Sequence, residues 1–195
     1  MKHIKDADFI RAEVPMTKFN VRNLDIAYLN IERGDRFLDI GGGTGSVSIE
    51  AALNGAAVTT VEYDDAACPL IKSNAEKFNV KINLIQGKAP AVLLQKKYES
   101  VMFDKCFIGG SSGELKHIFE YLEIHLEAGG ILCGNFILIK NINECLELLK
   151  KFAYGSIEVN LIQTAAMGKA GLFKSENPVY IVKAVKCVQA DTVLT

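Results

Sequence analysis

The stretch Phe37–Glu50, FLDIGGGTGSVSIE, sets Gly41, Gly42, Gly43 and Gly45 within five positions directly after an apolar run. Glycine loses more backbone entropy on ordering than any other residue, so this cluster signals a tight turn or a close approach of the main chain to something else. The spacing is Gly41-x-Gly43-x-Gly45, with Thr44 inside it and Asp39 two residues ahead of it. Backbone N–H groups at a helix start can then reach a ligand with no Cβ in the way. A second acidic residue, Glu62 in TVEYD, can accept two hydroxyl hydrogen bonds at once, which is what a ribose offers.

Elements must hold these residues in place, and the apolar pattern supplies them. Strand-length runs at Arg36–Ile40, Ala57–Val61, Lys81–Ile85, Cys106–Ile108 and Gly130–Leu138 alternate with helical patterns at Gly45–Leu53, Asp64–Phe78, Ala91–Gln95, Glu114–Leu126 and Ile142–Phe152. Two β-rich runs follow, Ile157–Thr164 and Val179–Val185, with no helix-length segment between them. Five βα units and a strand pair predict an α/β, Rossmann-like, mostly parallel sheet ending in an antiparallel strand pair. The glycines then lie between the first strand and the helix after it, where open α/β sheets bind ligands. One domain is expected over residues 1–195, with an N-terminal covering segment 1–35, a core 36–187 and a tail 188–195.

Composition removes several classes of function. A net charge of −1 gives no bulk basic field for nucleic acid or a membrane surface. The five cysteines are odd in number and contain no CxxC pair, and Cys106 and Cys133 sit in apolar runs where a reduced, buried thiol is expected. His3, His117 and His125 form no metal pattern. No leader-like apolar segment opens the chain and no run reaches membrane-spanning length, so a cytoplasmic protein is expected.

A dinucleotide fingerprint would want glycine at position 46, where Ser46 stands. An acidic residue followed by GxGxG instead resembles motif I of the class I S-adenosylmethionine-dependent methyltransferases. Further stretches narrow the resemblance: DFIRAEVPMTKFNVR near the start, DIGGGTGSVSIEAA, FIGGSSGEL after the fourth strand, and ENPVYIV late in the chain. In this order they resemble the decarboxylating cobalt-precorrin-6B (carbon 15) methyltransferase family of cobalamin biosynthesis, from about Asp8 to Val185.

The resemblance implies S-adenosyl-L-methionine as cofactor and methylation of carbon 15 of a cobalt-precorrin tetrapyrrole with decarboxylation of the ring C acetate. It also implies a homo-tetramer, with carbon 5 methylated by a separate subunit. Carried onto this chain, Thr17, Gly41, Gly42, Gly43, Thr44 and Gly45 would hold the cofactor, Glu62 its ribose, and the Gly87–Ala89 loop, with Ala89, its adenine. Thr17 also suits a helix N-cap for Lys18–Leu29.

Lys88 departs from the acidic residue often found there; a lysine cannot accept from an adenine amino group and is assigned instead to substrate. Other cations near candidate rim segments are Arg11, Lys18, Lys105, Lys169 and Lys174. Ser111 and Asn135 are candidate catalytic groups, each also suited to a plain turn or strand end. Rival readings are a methyltransferase acting on another small molecule or on nucleic acid, a non-catalytic cofactor-binding subunit, and a nicotinamide oxidoreductase. A nucleic-acid enzyme would follow the fourth strand with a proline-aromatic grip; here Asn177-Pro178-Val179-Tyr180 comes much later, where strand-end structure is expected.

Overall fold

The structure, a computed structural model, describes residues 3–168 and 171–187. Lys169 and the predicted tail 188–195 lie outside the described residues. Strand β1 (Arg36–Ile40) is followed by helix α2 (Ser46–Leu53), after an N-terminal helix α1 (Phe19–Leu29). Then come β2 (Ala57–Glu62), α3 (Ala67–Lys77), β3 (Ile82–Gln86), β4 (Phe103–Ile108), α4 (Leu115–His125), β5 (Leu126–Phe136) and α5 (Ile139–Lys151). The chain ends in β6 (Tyr154–Ile162), a short hairpin of β7 (Ala165–Met167) and β8 (Phe173–Ser175), and β9 (Val179–Lys186).

Seven strands form one sheet in the order β3-β2-β1-β4-β5-β9-β6. The first five are parallel, and β9 runs antiparallel between β5 and β6. The antiparallel pair expected from the sequence is therefore present, with the last strand inserted inside the previous one. The β7–β8 hairpin forms a separate two-stranded sheet that the strand pattern did not indicate.

The alternation of β1 explains the layering. Phe37 packs with α1 and α2 through Val21, Leu29 and Val47, while Leu38 and Ile40 belong to the cluster on the other face, with Ile118 and Leu122 of α4 and Leu149 of α5. Phe37 and Leu38 are both fully buried, each stabilising the fold by about 1.5–3 kcal/mol. Because side chains alternate along a strand, Asp39 falls on the Phe37 side and meets Ser48 of α2. Lys186, at the end of β9, donates to the carbonyls of Leu122, Glu123 and Leu126 and so closes the C-terminal end of α4.

Several predicted boundaries shift; β5 starts at Leu126 rather than Gly130, α5 at Ile139 rather than Ile142, and β6 spans Tyr154–Ile162 rather than Ile157–Thr164. Helix α3 starts at Ala67 rather than Asp64, because Asp64 forms the preceding turn: its Oδ1 accepts from the Ala66 N–H and its carbonyl from Ala67 and Cys68. Strand β5 stops at Phe136, which pairs with Tyr180 near the start of β9, so Ile137 and Leu138 leave the sheet. Helix α1 starts at Phe19, with Lys18 at its N-cap and no side-chain cap. Thr17 is therefore not the cap: its carbonyl instead accepts from Arg22 Nη1 at 2.6 Å.

Candidate functional site

The order of the strands reverses between β1 and β4, and a crevice opens there at their carboxyl ends. The loop after β1 crosses it tightly. The Gly109 N–H donates to the Ile40 carbonyl at 2.9 Å, and a Cβ on Gly41 (φ +78°) would come within 2.7 Å of the Gly110 nitrogen. A Cβ on Gly43 (φ +54°) would meet the Pro15 carbonyl at 2.8 Å, so the N-terminal segment roofs the loop. Any side chain at either position would push backbone apart as well as strain φ.

This crevice is a cleft of about 390 Å³, within the range of small-molecule sites. Gly41, Gly42, Gly43 and Glu62 floor it, Thr17 and Val21 close one side, and Asn135 faces it from β5. It opens into a second hollow of about 650 Å³ whose wall includes Arg11 and Lys18. Val14, Pro15, Met16, Lys18, Ile137, Glu176, Asn177 and Val179 border both.

Glu62 is almost fully buried at the floor. Its Oε2 accepts from the Gly43 N–H at 2.8 Å, and its Oε1 from Tyr63 at 2.8 Å and Asp64 at 2.9 Å. The carboxylate thus fixes the glycine loop as well as facing the cleft, and of about four acceptor directions one stays open to a ligand hydroxyl. Beneath it, Asp39 is buried with Oδ2 bonded to the Ser48 hydroxyl, while Oδ1 has no partner among the described residues. Burial pushes the Asp39 carboxyl up to about 7; the Ser48 hydrogen bond opposes that rise and the nearby Glu62 charge adds to it.

Several expected residues fall elsewhere. Thr44 and Gly45 do not line the cleft: the Thr44 carbonyl accepts from Asn74 Nδ2, and Gly45 lies against Ile71 of α3. Ala89, Lys88 and Ser111 line a small recess beside the main cleft, together with Tyr63. Lys88 donates to Glu114 at 3.1 Å, so its ammonium is engaged and is not brought into either hollow. Lys105 lies in mid-strand with Phe37 and Ile131 as neighbours, 3.9 Å from Asp35, and Lys174 is on the exposed β8.

Other residues of the site went unread in the sequence. Ser112, Asn177 and Val179 line the cleft, although the Asn177 segment reads only as a strand end. Arg22 is fully buried and ties the roof together, donating to Glu50 at 2.8 Å and to the carbonyls of Thr17 and Ile4. Asp25, one turn further along α1, is also fully buried and accepts from Asn135 Nδ2 at 2.8 Å. The signal for both was charge placed at i+1 and i+4 of Val21, inside an otherwise apolar stripe.

Comparison with known proteins gives a consistent picture. The sequence profile of the precorrin methyltransferase domain matches residues 8–186. A cobalt-precorrin-6B C(15)-methyltransferase (decarboxylating) from Salmonella typhimurium is 35% identical, with 94% of this chain and 96% of that protein covered. The crystal structure of a precorrin-6y C5,15-methyltransferase from Geobacter metallireducens is similar with a TM-score of 0.84 at 29% identity, covering 93% of this chain and 95% of that one. An S-adenosylmethionine-dependent O-methyltransferase from Thermotoga maritima shares the fold at 16% identity, with a TM-score of 0.72 and 93% and 69% coverage.

Proposed function

Since the chain belongs to the precorrin methyltransferase family, we propose that it methylates carbon 15 of a cobalt-precorrin-6B-like tetrapyrrole and removes carbon dioxide from the ring C acetate. Its cofactor is S-adenosyl-L-methionine. The observation that carries the reading is the direct opening of the glycine-loop cleft into a larger hollow bearing Arg11 and Lys18. The inner space suits the cofactor and the outer one a bulky polycarboxylate.

The residues present fit the cofactor. Gly41, Gly42 and Gly43 offer bare main chain along the cleft floor, and Glu62 keeps an acceptor direction for a ribose hydroxyl. Ala89 and the neighbouring backbone of the small recess would border the adenine. When bound, S-adenosylmethionine supplies an activated methyl group on a sulfonium. The chain's own task is alignment, a contribution that can reach about 7–11 kcal/mol. No strong base is needed, because a reduced tetrapyrrole bridge carbon is enamine-like and already nucleophilic.

Arg11 and Lys18 would hold peripheral carboxylates at the outer hollow, a role that passes to them from Lys88, which Glu114 already engages. The reacting acetate would lie against Val21, Ile137 and Val179, in the inner cleft that Arg11 does not line. Withdrawing it from water and counter-charge favours loss of neutral carbon dioxide. Carbon 5 is then left to another catalytic unit.

Self-assembly into a homo-tetramer completes the proposal. Ile157, Val159 and Leu161 are exposed on the edge strand β6, and Met167, Leu172 and Phe173 are exposed on and beside the β7–β8 hairpin. Exposed apolar edges of this kind mark association surfaces. The activity is tested by incubating the protein with S-adenosylmethionine and cobalt-precorrin-6B and weighing the product by mass spectrometry. A methylated, decarboxylated ring is expected; a protein that binds cofactor yet leaves this tetrapyrrole unchanged would refute the substrate.

A further inference from the structure

Asp25 is a buried charge that the reaction as described does not use. It has no exposed surface and is not part of the cleft wall. Its Oδ2 accepts from Asn135 Nδ2 at 2.8 Å, and its Oδ1 is 3.8 Å from Cys133 Sγ. Asn135, in turn, belongs to the cleft wall, and its Oδ1 is buried with no partner among the described residues. An ionised carboxylate can only accept hydrogen bonds. It therefore holds the amide NH2 edge of Asn135 to itself and turns the carbonyl edge away from itself.

We propose that Asp25 is a positioning residue: it fixes the Asn135 carboxamide so that its oxygen receives an N–H donor of whatever occupies the cleft. The inference rests on the methyltransferase reading and adds a polarity to it. Asn135 becomes a reader of N–H groups, either the amino group of the cofactor or a ring N–H of the tetrapyrrole, and does not bind a substrate carboxylate. A neutral partner such as a serine or leucine at position 25 would leave the amide free to present either edge.

The pair is also linked to pH. Burial raises the Asp25 carboxyl to about 7; the hydrogen bonds from Asn135 and Cys133 and the charge of Arg22 oppose the rise, and Asp39 adds to it. The other charged groups on elements packed against α1 are engaged elsewhere: Glu50 of α2 with Arg22 and His3, Lys183 of β9 with Glu158, Lys186 of β9 with the Leu122, Glu123 and Leu126 carbonyls, Asp104 of β4 and Glu127 of β5 with Arg36, and Lys105 of β4 near Asp35. Once protonated, Asp25 can donate to Asn135 Oδ1, and the amide then turns its NH2 edge outward. Binding of an N–H donor should weaken as pH falls through that range.

The test follows the Asn135 side-chain amide by 15N NMR from pH 8.5 to 5.5, assigned by its loss in Asn135→Ala. In parallel, calorimetry gives the affinity for S-adenosylhomocysteine, and kinetics give KM for the tetrapyrrole. The amide signal should titrate in the wild type and not in Asp25→Asn. One binding arm should weaken about tenfold per pH unit at most below the midpoint, and Asp25→Asn should remove that component while the protein stays folded. The arm that changes identifies the N–H source. Asp39 titrates in the same range, so only the part removed by Asp25→Asn counts. Should that variant fail to fold, the same component must vanish in Asn135→Ala.

An Asn135 amide that ignores pH, or an Asp25→Asn profile identical to the wild type in both arms, would overturn the proposal. Wild-type protein that binds no S-adenosylhomocysteine at any pH would instead strike the functional reading, while the amide titration still judges the Asp25–Asn135 pair.

Discussion

At Glu62 three backbone N–H groups converge on one carboxylate, so the residue shapes the loop and faces the ligand together. Glu62→Ala should weaken S-adenosylhomocysteine binding by about 1–3 kcal/mol, the usual cost of losing hydrogen bonds to a charged group. Calorimetry on the folded variant checks this, and unchanged affinity would remove Glu62 from the site. The buried aspartates make a separate prediction about stability. Asp25 and Asp39 have carboxyls raised from 3.8 to about 7 in the folded chain. Between those values the folded state holds protons that the unfolded chain has lost, so stability falls as pH rises through the window. Asp25→Asn escapes that penalty: its advantage over the wild type should grow from about pH 4 to about pH 7, to at most about 4 kcal/mol. Urea denaturation at several pH values reads it directly. The glycine loop, Glu62 and Asn135 were legible because residue type and strand-end position carry their chemistry. The partners of Asn135 and Lys88 were not, because Asp25 is 110 positions away and Glu114 is 26, and a sequence does not state which distant groups meet.

The elements show where local pattern suffices and where it fails. Each predicted strand of the core exists, and each predicted helix except the one at Ala91–Gln95, which is only a 3-10 turn over Ala91–Leu94, since alternation and helical spacing persist over the longer segments. Their ends were less legible: Asp64 forms a turn before α3, and β5 stops where its antiparallel partner begins. The N-terminal segment is held by Arg22, whose guanidinium also lies 4.8 Å from the Phe9 ring. Replacing Arg22 by Met would leave the buried Glu50 with only His3 beside it, a loss of up to about 3–5 kcal/mol. The same variant releases the Thr17 carbonyl and loosens the roof over Gly43. Thermal melting and cofactor titration together check this. A stable Arg22→Met protein with unaltered affinity would show that the roof does not depend on the ion pair.

For the whole molecule, fold class and family were legible because sheet topology follows from alternation and the motifs lie in fixed order along the chain. The β7–β8 hairpin was not, as its short strands carry no sustained period. Its exposed apolar residues lead to an assembly prediction: sedimentation should give a tetramer, and Leu172→Asp with Phe173→Asp should yield smaller species that keep the sheet. A wild-type monomer would contradict it. The central claim is that methylation and decarboxylation occur on one ring in one site. The most direct measurement is the ratio of methyl groups incorporated to carbon dioxide released, using S-adenosylmethionine labelled in the methyl group and cobalt-precorrin-6B labelled in the ring C acetate carboxyl. The account predicts one carbon dioxide for each methyl group at completion, with both slowed together in Glu62→Ala at low cofactor. Methyl transfer with the labelled carboxyl retained would contradict it.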